Sequence, residues 1–369
     1  MRSHFIVVAL LITHYFYQPS QKILNHQLRS LENSSEIKSS IPTKRLTWSW
    51  SWWQVKILVA GTLVYYLFSS GKLSLDLFHQ AFSLGGLLYI ALAGALLMFA
   101  YFLTSWRIFL LFKAQSLLFS ARLCFQINLI GFFFNNFLPA SIGGDAMRAY
   151  YFAKRRRHKI ATILATLVYD RLLGFMALVL WAFTGLCLAW FADGMFVWTR
   201  EVRWGFKGLA AVFGIFFLSY LLSRWPRLMG WLESLLVRIS WGEALLRFLT
   251  SIANLSRYGL LSLGLLGISM TAQIAATLAL FFTGLAFGLH PKFWLTIILA
   301  PLIFLSGVLP LSPNNIGWTE YLGSLIWASQ GMGQGGNLWL AFRLVMVFFS
   351  LSGLIVYLRL RAGAVSHES

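Results

Sequence analysis

Two stretches decide the fold: Asn135-Asn136-Phe137-Leu138-Pro139-Ala140-Ser141-Ile142-Gly143-Gly144-Asp145-Ala146-Met147-Arg148 and Pro310-Leu311-Ser312-Pro313-Asn314-Asn315-Ile316-Gly317-Trp318-Thr319-Glu320. Each places prolines, glycines, asparagines and a carboxylate inside an otherwise apolar run. Hydrocarbon offers a broken backbone no hydrogen-bond partner and an ionised side chain no solvation. Such segments survive in a bilayer only where protein or a polar cavity shelters them. One break falls in each half of the chain, the pattern expected of a transport site built from discontinuous helices.

The surroundings of these breaks belong to a membrane. Of 369 residues, 59% are hydrophobic and 11% charged, against about 25% charged in soluble domains. The mean hydropathy is +0.72. Several uncharged runs reach bilayer-crossing length, which excludes a soluble globular fold. The two cysteines, Cys124 and Cys187, sit in apolar runs and read as packing. The histidines are scattered without metal-ligand spacing, and no P-loop, nucleophile elbow or dinucleotide fingerprint occurs. No catalytic constellation, cofactor or metal is expected.

The order of spans follows the uncharged runs. Residues 1–50 differ from the rest: Arg2 and the run Phe5–Tyr17 fit a signal peptide, but no small-residue cleavage site follows. They are read as an atypical, poorly ordered extension. The membrane domain covers 51–362 and a short tail 363–369. Spans are expected at Trp52–Gly71, within Ala81–Trp106, at Leu172–Phe191, Gly208–Ser223, Tyr258–Leu289 and Asn337–Leu358. Arg107, Lys113 and Arg122 read as a basic loop, and Asp170-Arg171 as the mouth of the third span. Residues 224–257 space Leu228, Trp231, Leu235 and Ile239 between arginines, which reads as an amphipathic helix on the membrane surface.

Leu123–Tyr150 suits half a crossing in and half a crossing out, which keeps its flanking basic clusters on one side. With both broken segments re-entrant, one set of loops carries 16 Lys and Arg and the other 5. The positive-inside rule puts the first set, and the C-terminus, in the cytoplasm. The net charge of +19 is therefore mostly topological, and nucleic acid is not an expected partner. The predicted fold is an all-α polytopic membrane protein. It has about six full transmembrane helices plus two re-entrant broken-helix hairpins in an inverted-repeat arrangement. The halves run over about 52–191 and 206–360. No residue-by-residue identity links them; the repeat is inferred from topology alone.

Asn136, Pro139, Gly143, Gly144, Asp145 and Arg148 resemble the N-x-x-P-x-x-x-G-G-D-x-x-R motif of the lysylphosphatidylglycerol synthase transmembrane-region family, a flippase-like domain. Asp170-Arg171 resembles its acidic-Arg pair, usually Glu-Arg. Pro310, Pro313, Gly317 and Glu320 resemble its second signature, P-x-x-P-x-x-x-G-x-x-E, and Arg343 falls where the family has an arginine. Asn314-Asn315 stands where the family often has glycine, which keeps a residue tolerant of positive φ. The resemblance covers about 50–360. It implies a bacterial inner-membrane protein that moves a phospholipid or a polyprenyl-linked lipid between leaflets. The soluble aminoacyl-transferase domain of the full-length family members has no counterpart here, so that activity is not expected.

A headgroup crossing a low-dielectric layer needs cationic partners for its phosphate. Arg148, Arg171 and Arg343 offer bidentate guanidinium forks, and broken helices aim free N–H groups at an anion. Gly143 and Gly144 allow close backbone approach. The expected substrate-binding set is Asn136, Gly143, Gly144, Asp145, Arg148, Asp170, Arg171, Asn314, Gly317, Glu320 and Arg343, with helix breaks at Pro139, Pro310 and Pro313. The plainer alternative makes the acids and arginines fixed ion pairs that lock helices together. Two other functions compete with translocation. One is a membrane-bound transferase on a lipid-linked substrate, with Asp145 as its carboxylate; the other is a non-transporting partner of a lipid-modifying synthase or glycosyltransferase.

Overall fold

The computed structural model describes residues 78–137, 143–156, 160–191, 260–307 and 315–365, with isolated positions at 62, 65 and between 197 and 214. All described secondary structure is helical: α1 (Phe78–Ala81), α2 (Leu84–Ala114), α3 (Ala121–Phe137), α4 (Gly143–Arg155), α5 (Ile160–Phe191), α6 (Leu260–Ala286), α7 (Phe293–Ser306), α8 (Trp318–Ala328) and α9 (Gly335–Val365). These helices belong to one compact unit, Lys56–Ser369. The extension 1–50, the amphipathic segment 224–257, the prolines of both breaks and, apart from those isolated positions, the spans 52–71 and 208–223 lie outside the described residues.

Four helices, α2, α5, α6 and α9, are long and apolar enough to cross a membrane, and α7 is a shorter apolar helix. At 1.5 Å per residue, the shortest crossing stretch, 26 residues, exceeds the roughly 30 Å hydrocarbon core. Their outward faces are apolar. Leu88, Leu92, Phe99 and Phe102 of α2, and Phe348, Ile355 and Leu358 of α9, are exposed, as lipid contact requires.

Two spans differ in extent from the sequence expectation. Helix α2 continues past Trp106 to Ala114, so Arg107 and Lys113 are helical rather than in a loop. Helix α5 begins at Ile160, so Asp170 and Arg171 lie well inside it rather than at its mouth. Ile160–Leu167 carries no charge and suits a helix, and the charges that follow are neutralised by partners, so nothing forces them to an interface.

Helices α2 to α9 form two quartets of like pattern, long-short-short-long. The lengths are 31, 17, 13 and 32 residues for α2 to α5, and 27, 14, 11 and 31 for α6 to α9. Their packing repeats as well. Helix α3 lies on α9 as α7 lies on α5; α4 meets α5 as α8 meets α9; α6 touches α5 as α2 touches α9. At the centre, α2 packs on α6. Tyr89 stacks on Phe282 at 6.1 Å near one end, and Arg107 Nη1 donates to Ser269 Oγ at 2.6 Å towards the other. These two corresponding helices therefore run antiparallel. Ala100, Ala272 and Ala275 cluster along their seam, where small side chains let backbones approach.

Backbones also approach closely at Gly353 of α9, where an added Cβ would fall against the Leu129 carbonyl of α3. Gly353→Leu is expected to destabilise by about 1–3 kcal/mol through overpacking, whereas Gly264→Leu, with nothing near its Cβ, stays within about 0.5 kcal/mol. Thermal unfolding in detergent measures both.

Candidate functional site

The site lies where the short helices of the two quartets end. Helix α3 packs antiparallel on α4: an added Cβ at Gly144 would strike the Gly131 carbonyl, and Gly131 itself lies against the Arg148 side chain. An asparagine bridges this first break, with Asn135 Oδ1 accepting from Gly144 N–H at 2.9 Å. Asn136 turns back to donate from Nδ2 to the Phe132 carbonyl at 3.1 Å. A second asparagine does the like in the other quartet: Asn315 Nδ2 donates to the Gly307 carbonyl at 2.6 Å. Asn315 sits at φ +55°, a left-handed conformation that asparagine tolerates well, and Gly317 follows at +81°.

Each break is followed by a carboxylate at the third residue of a helix. In α4 this is Asp145. One of its oxygens, Oδ1, accepts from Arg148 Nη1 at 3.1 Å and from Arg171 Nη2 of α5. In α8 it is Glu320. Its Oε2 accepts from Gly317 N–H at 2.8 Å and from Thr319 Oγ1 at 3.0 Å, while Oε1 accepts from Arg343 Nε of α9 at 2.5 Å. Arg343 Nη2 also donates to Thr319 Oγ1 at 2.7 Å and to the Asn315 carbonyl at 3.1 Å. The two quartets thus carry corresponding acid–arginine clamps, each joining a short helix to the long helix after it.

The clamps face one cavity of about 260 Å³. Asn135, Asn136, Arg148 and Arg171 line it from the first quartet; Gly307, Asn315, Thr319 and Arg343 line it from the second. Tyr101, Phe132, Phe304, Trp339 and Met346 supply apolar walls. Two buried polar atoms of this lining, Arg148 Nε and Asn315 Oδ1, have no hydrogen-bond partner among the described residues. Buried polar groups are nearly always satisfied, so both atoms are open to a polar group entering the cavity.

Of the expected site residues, Asn136, Arg148, Arg171 and Arg343 line the cavity. Asp145 and Glu320 hold those arginines, and Gly144 and Gly317 shape the breaks. Gly143 opens α4, and Asn314 lies outside the described residues. Asp170 is placed elsewhere: it is buried and accepts from Arg107 Nε at 2.7 Å, away from the cavity lining. Arg107, 4% exposed, is the member that sequence reasoning missed. Its signal was available, since an arginine set in the apolar run Leu84–Phe112 is an intramembrane charge and not a loop marker. Thr319 and Tyr101 also went unread, for uncharged polar residues near helix breaks are common, and Asn315, expected as a residue tolerant of positive φ, takes that conformation and lines the cavity besides.

A family model described as Lysylphosphatidylglycerol synthase TM region matches residues 53–353, and the chain belongs to that family. No curated protein and no solved structure gives a significant match. The protein is thus a multi-pass integral membrane protein of a family associated with lipid modification and translocation, and with phosphatidylglycerol in particular.

Proposed function

For this family member we propose the role of a lipid translocator, which moves an anionic phospholipid or a polyprenyl-linked lipid between the leaflets of a bacterial inner membrane. The cavity carries this reading: guanidinium groups from both quartets converge on one space between the ends of broken helices. A phosphate there gains charge-assisted hydrogen bonds that replace its hydration, while acyl tails stay in the bilayer.

The packing supports the membrane topology this role needs. Antiparallel α3 and α4 leave by the same end of the bundle, so together they act as one re-entrant hairpin. Because α2 and α6 oppose each other, the α7–α8 hairpin enters from the other face. The four crossing helices and the spans expected at 52–71 and 208–223 then make six, in two inverted halves. The cytoplasmic side is the one with the basic loops, and it holds the C-terminus. Transport proceeds by alternating exposure of the cavity, with each hairpin gating one face.

The test is purified protein in liposomes holding fluorescent phosphatidylglycerol. Leaflet equilibration is expected to run faster than in protein-free vesicles. Folded protein that moves neither this lipid nor a polyprenyl phosphate overturns the proposal. Product formed from a lipid-linked donor, and lost in Asp145→Asn, would favour a transferase instead.

A further inference from the structure

The two clamps correspond in position but not in charge. In the second quartet one guanidinium, Arg343, meets one carboxylate, Glu320, and both are buried, with side chains 12% and 3% exposed. Every oxygen of Glu320 is occupied. Among the described residues of the first quartet, Arg107, Arg148 and Arg171 face only Asp145 and Asp170, and Asp170 is taken up by Arg107. One oxygen of Asp145 is left to bridge both Arg148 and Arg171. This bridge is open, with Asp145 36% and Arg171 49% exposed at the side chain, while Arg148 is buried and keeps an unpartnered Nε.

We infer that the transported anion seats in the first half alone, taking the place of Asp145 between Arg148 and Arg171, while Glu320–Arg343 stays closed as a positioning latch. This rests on the translocator reading and divides its site into a seat and a latch. The uncompensated cation fits one singly charged phosphate, a phosphodiester. The bridging carboxylate oxygen already occupies an anion's position, and a phosphate oxygen can accept the same two N–H groups. The second clamp has no such opening, because opening it would strand a buried glutamate.

The experiment measures equilibrium binding of fluorescent phosphatidylglycerol to detergent-purified protein, with unfolding temperature recorded for every variant. Arg171→Gln, at a half-exposed position, is expected to fold normally and to bind on the order of tenfold more weakly or worse. Asp145→Asn removes the competing anion and is expected to bind at least about threefold more tightly. Arg343→Lys, or the paired replacement Glu320→Leu with Arg343→Met where the lysine variant fails to fold, is expected to weaken binding by a clearly smaller factor than Arg171→Gln does. Inorganic phosphate distinguishes a lipid seat from a soluble-anion seat: millimolar phosphate that binds in place of the lipid overturns the assignment. So does an Arg343 variant that loses as much affinity as Arg171→Gln, or an Asp145→Asn protein that binds more weakly. Wild-type protein that binds no anionic lipid overturns the translocator reading itself.

Discussion

Asp170→Ala is expected to cost about 3–5 kcal/mol of stability, a large part of the 5–15 kcal/mol typical of a folded protein. The reason lies in what remains. Arg107 and Asp170 have side chains 5% and 4% exposed and meet at 2.7 Å. Without the carboxylate, a guanidinium stays buried with the Ser269 hydroxyl, at 2.6 Å, as its one acceptor among the described residues. Gly174 packs beside the same guanidinium, so the side chain has little room to move out. Removing both charges together is a different change. Arg107→Met with Asp170→Leu strands nothing and is expected to recover most of the loss, since apolar replacement of a buried pair is often neutral. Thermal unfolding in detergent checks the contrast. A single mutant as stable as wild type would mean that water reaches Arg107.

Glu320→Ala is the second large effect, and it acts on stability and transport together. The alanine leaves Arg343, the Gly317 N–H and the Thr319 hydroxyl without their shared acceptor. A loss of about 3 kcal/mol or more and no measurable lipid movement are expected. Glu320→Gln separates the components. The amide oxygen can still accept from Gly317 N–H, which keeps the start of α8, but the charge opposite Arg343 is gone. It is expected to fold with a smaller loss, about 1–3 kcal/mol, and to transport slowly. Leaflet equilibration in liposomes read beside the unfolding temperature tells the two apart. Full transport by Glu320→Gln would remove the charge of this clamp from the mechanism.

The sequence made some of this legible and hid the rest for physical reasons. Long uncharged runs announce spans whatever their neighbours do, so α6 and α9 fall close to where hydropathy puts them. The ends of α2 and α5 were misplaced, because charge was taken as a boundary marker. A charge that finds a buried partner stops marking a boundary, and Arg107 with Asp170 is that case. The correspondence of the halves was visible as an order of elements but not as residues. What repeats is a carboxylate at the third position of a short helix and an arginine 26 or 23 residues further on, with nothing alike between them. Such a match emerges only when three dimensions bring the partners together. The asparagines across the breaks were legible as residues that satisfy a broken backbone or take a positive φ, but not as a matched pair. Asn135 and Asn315 stand on opposite sides of their breaks, so no common spacing links them.

The alanine-lined contact of α2 with α6 has a mechanical consequence. Deep interlocking of large side chains would resist sliding, but Ala100, Ala272 and Ala275 give shallow relief along a line on which the two halves meet. For the translocator proposed above, that line is a natural hinge pin. Small rotations about it would disturb few large side chains at that level of the seam. A bulky residue such as leucine at position 100 would jam the bearing without touching any group that meets cargo.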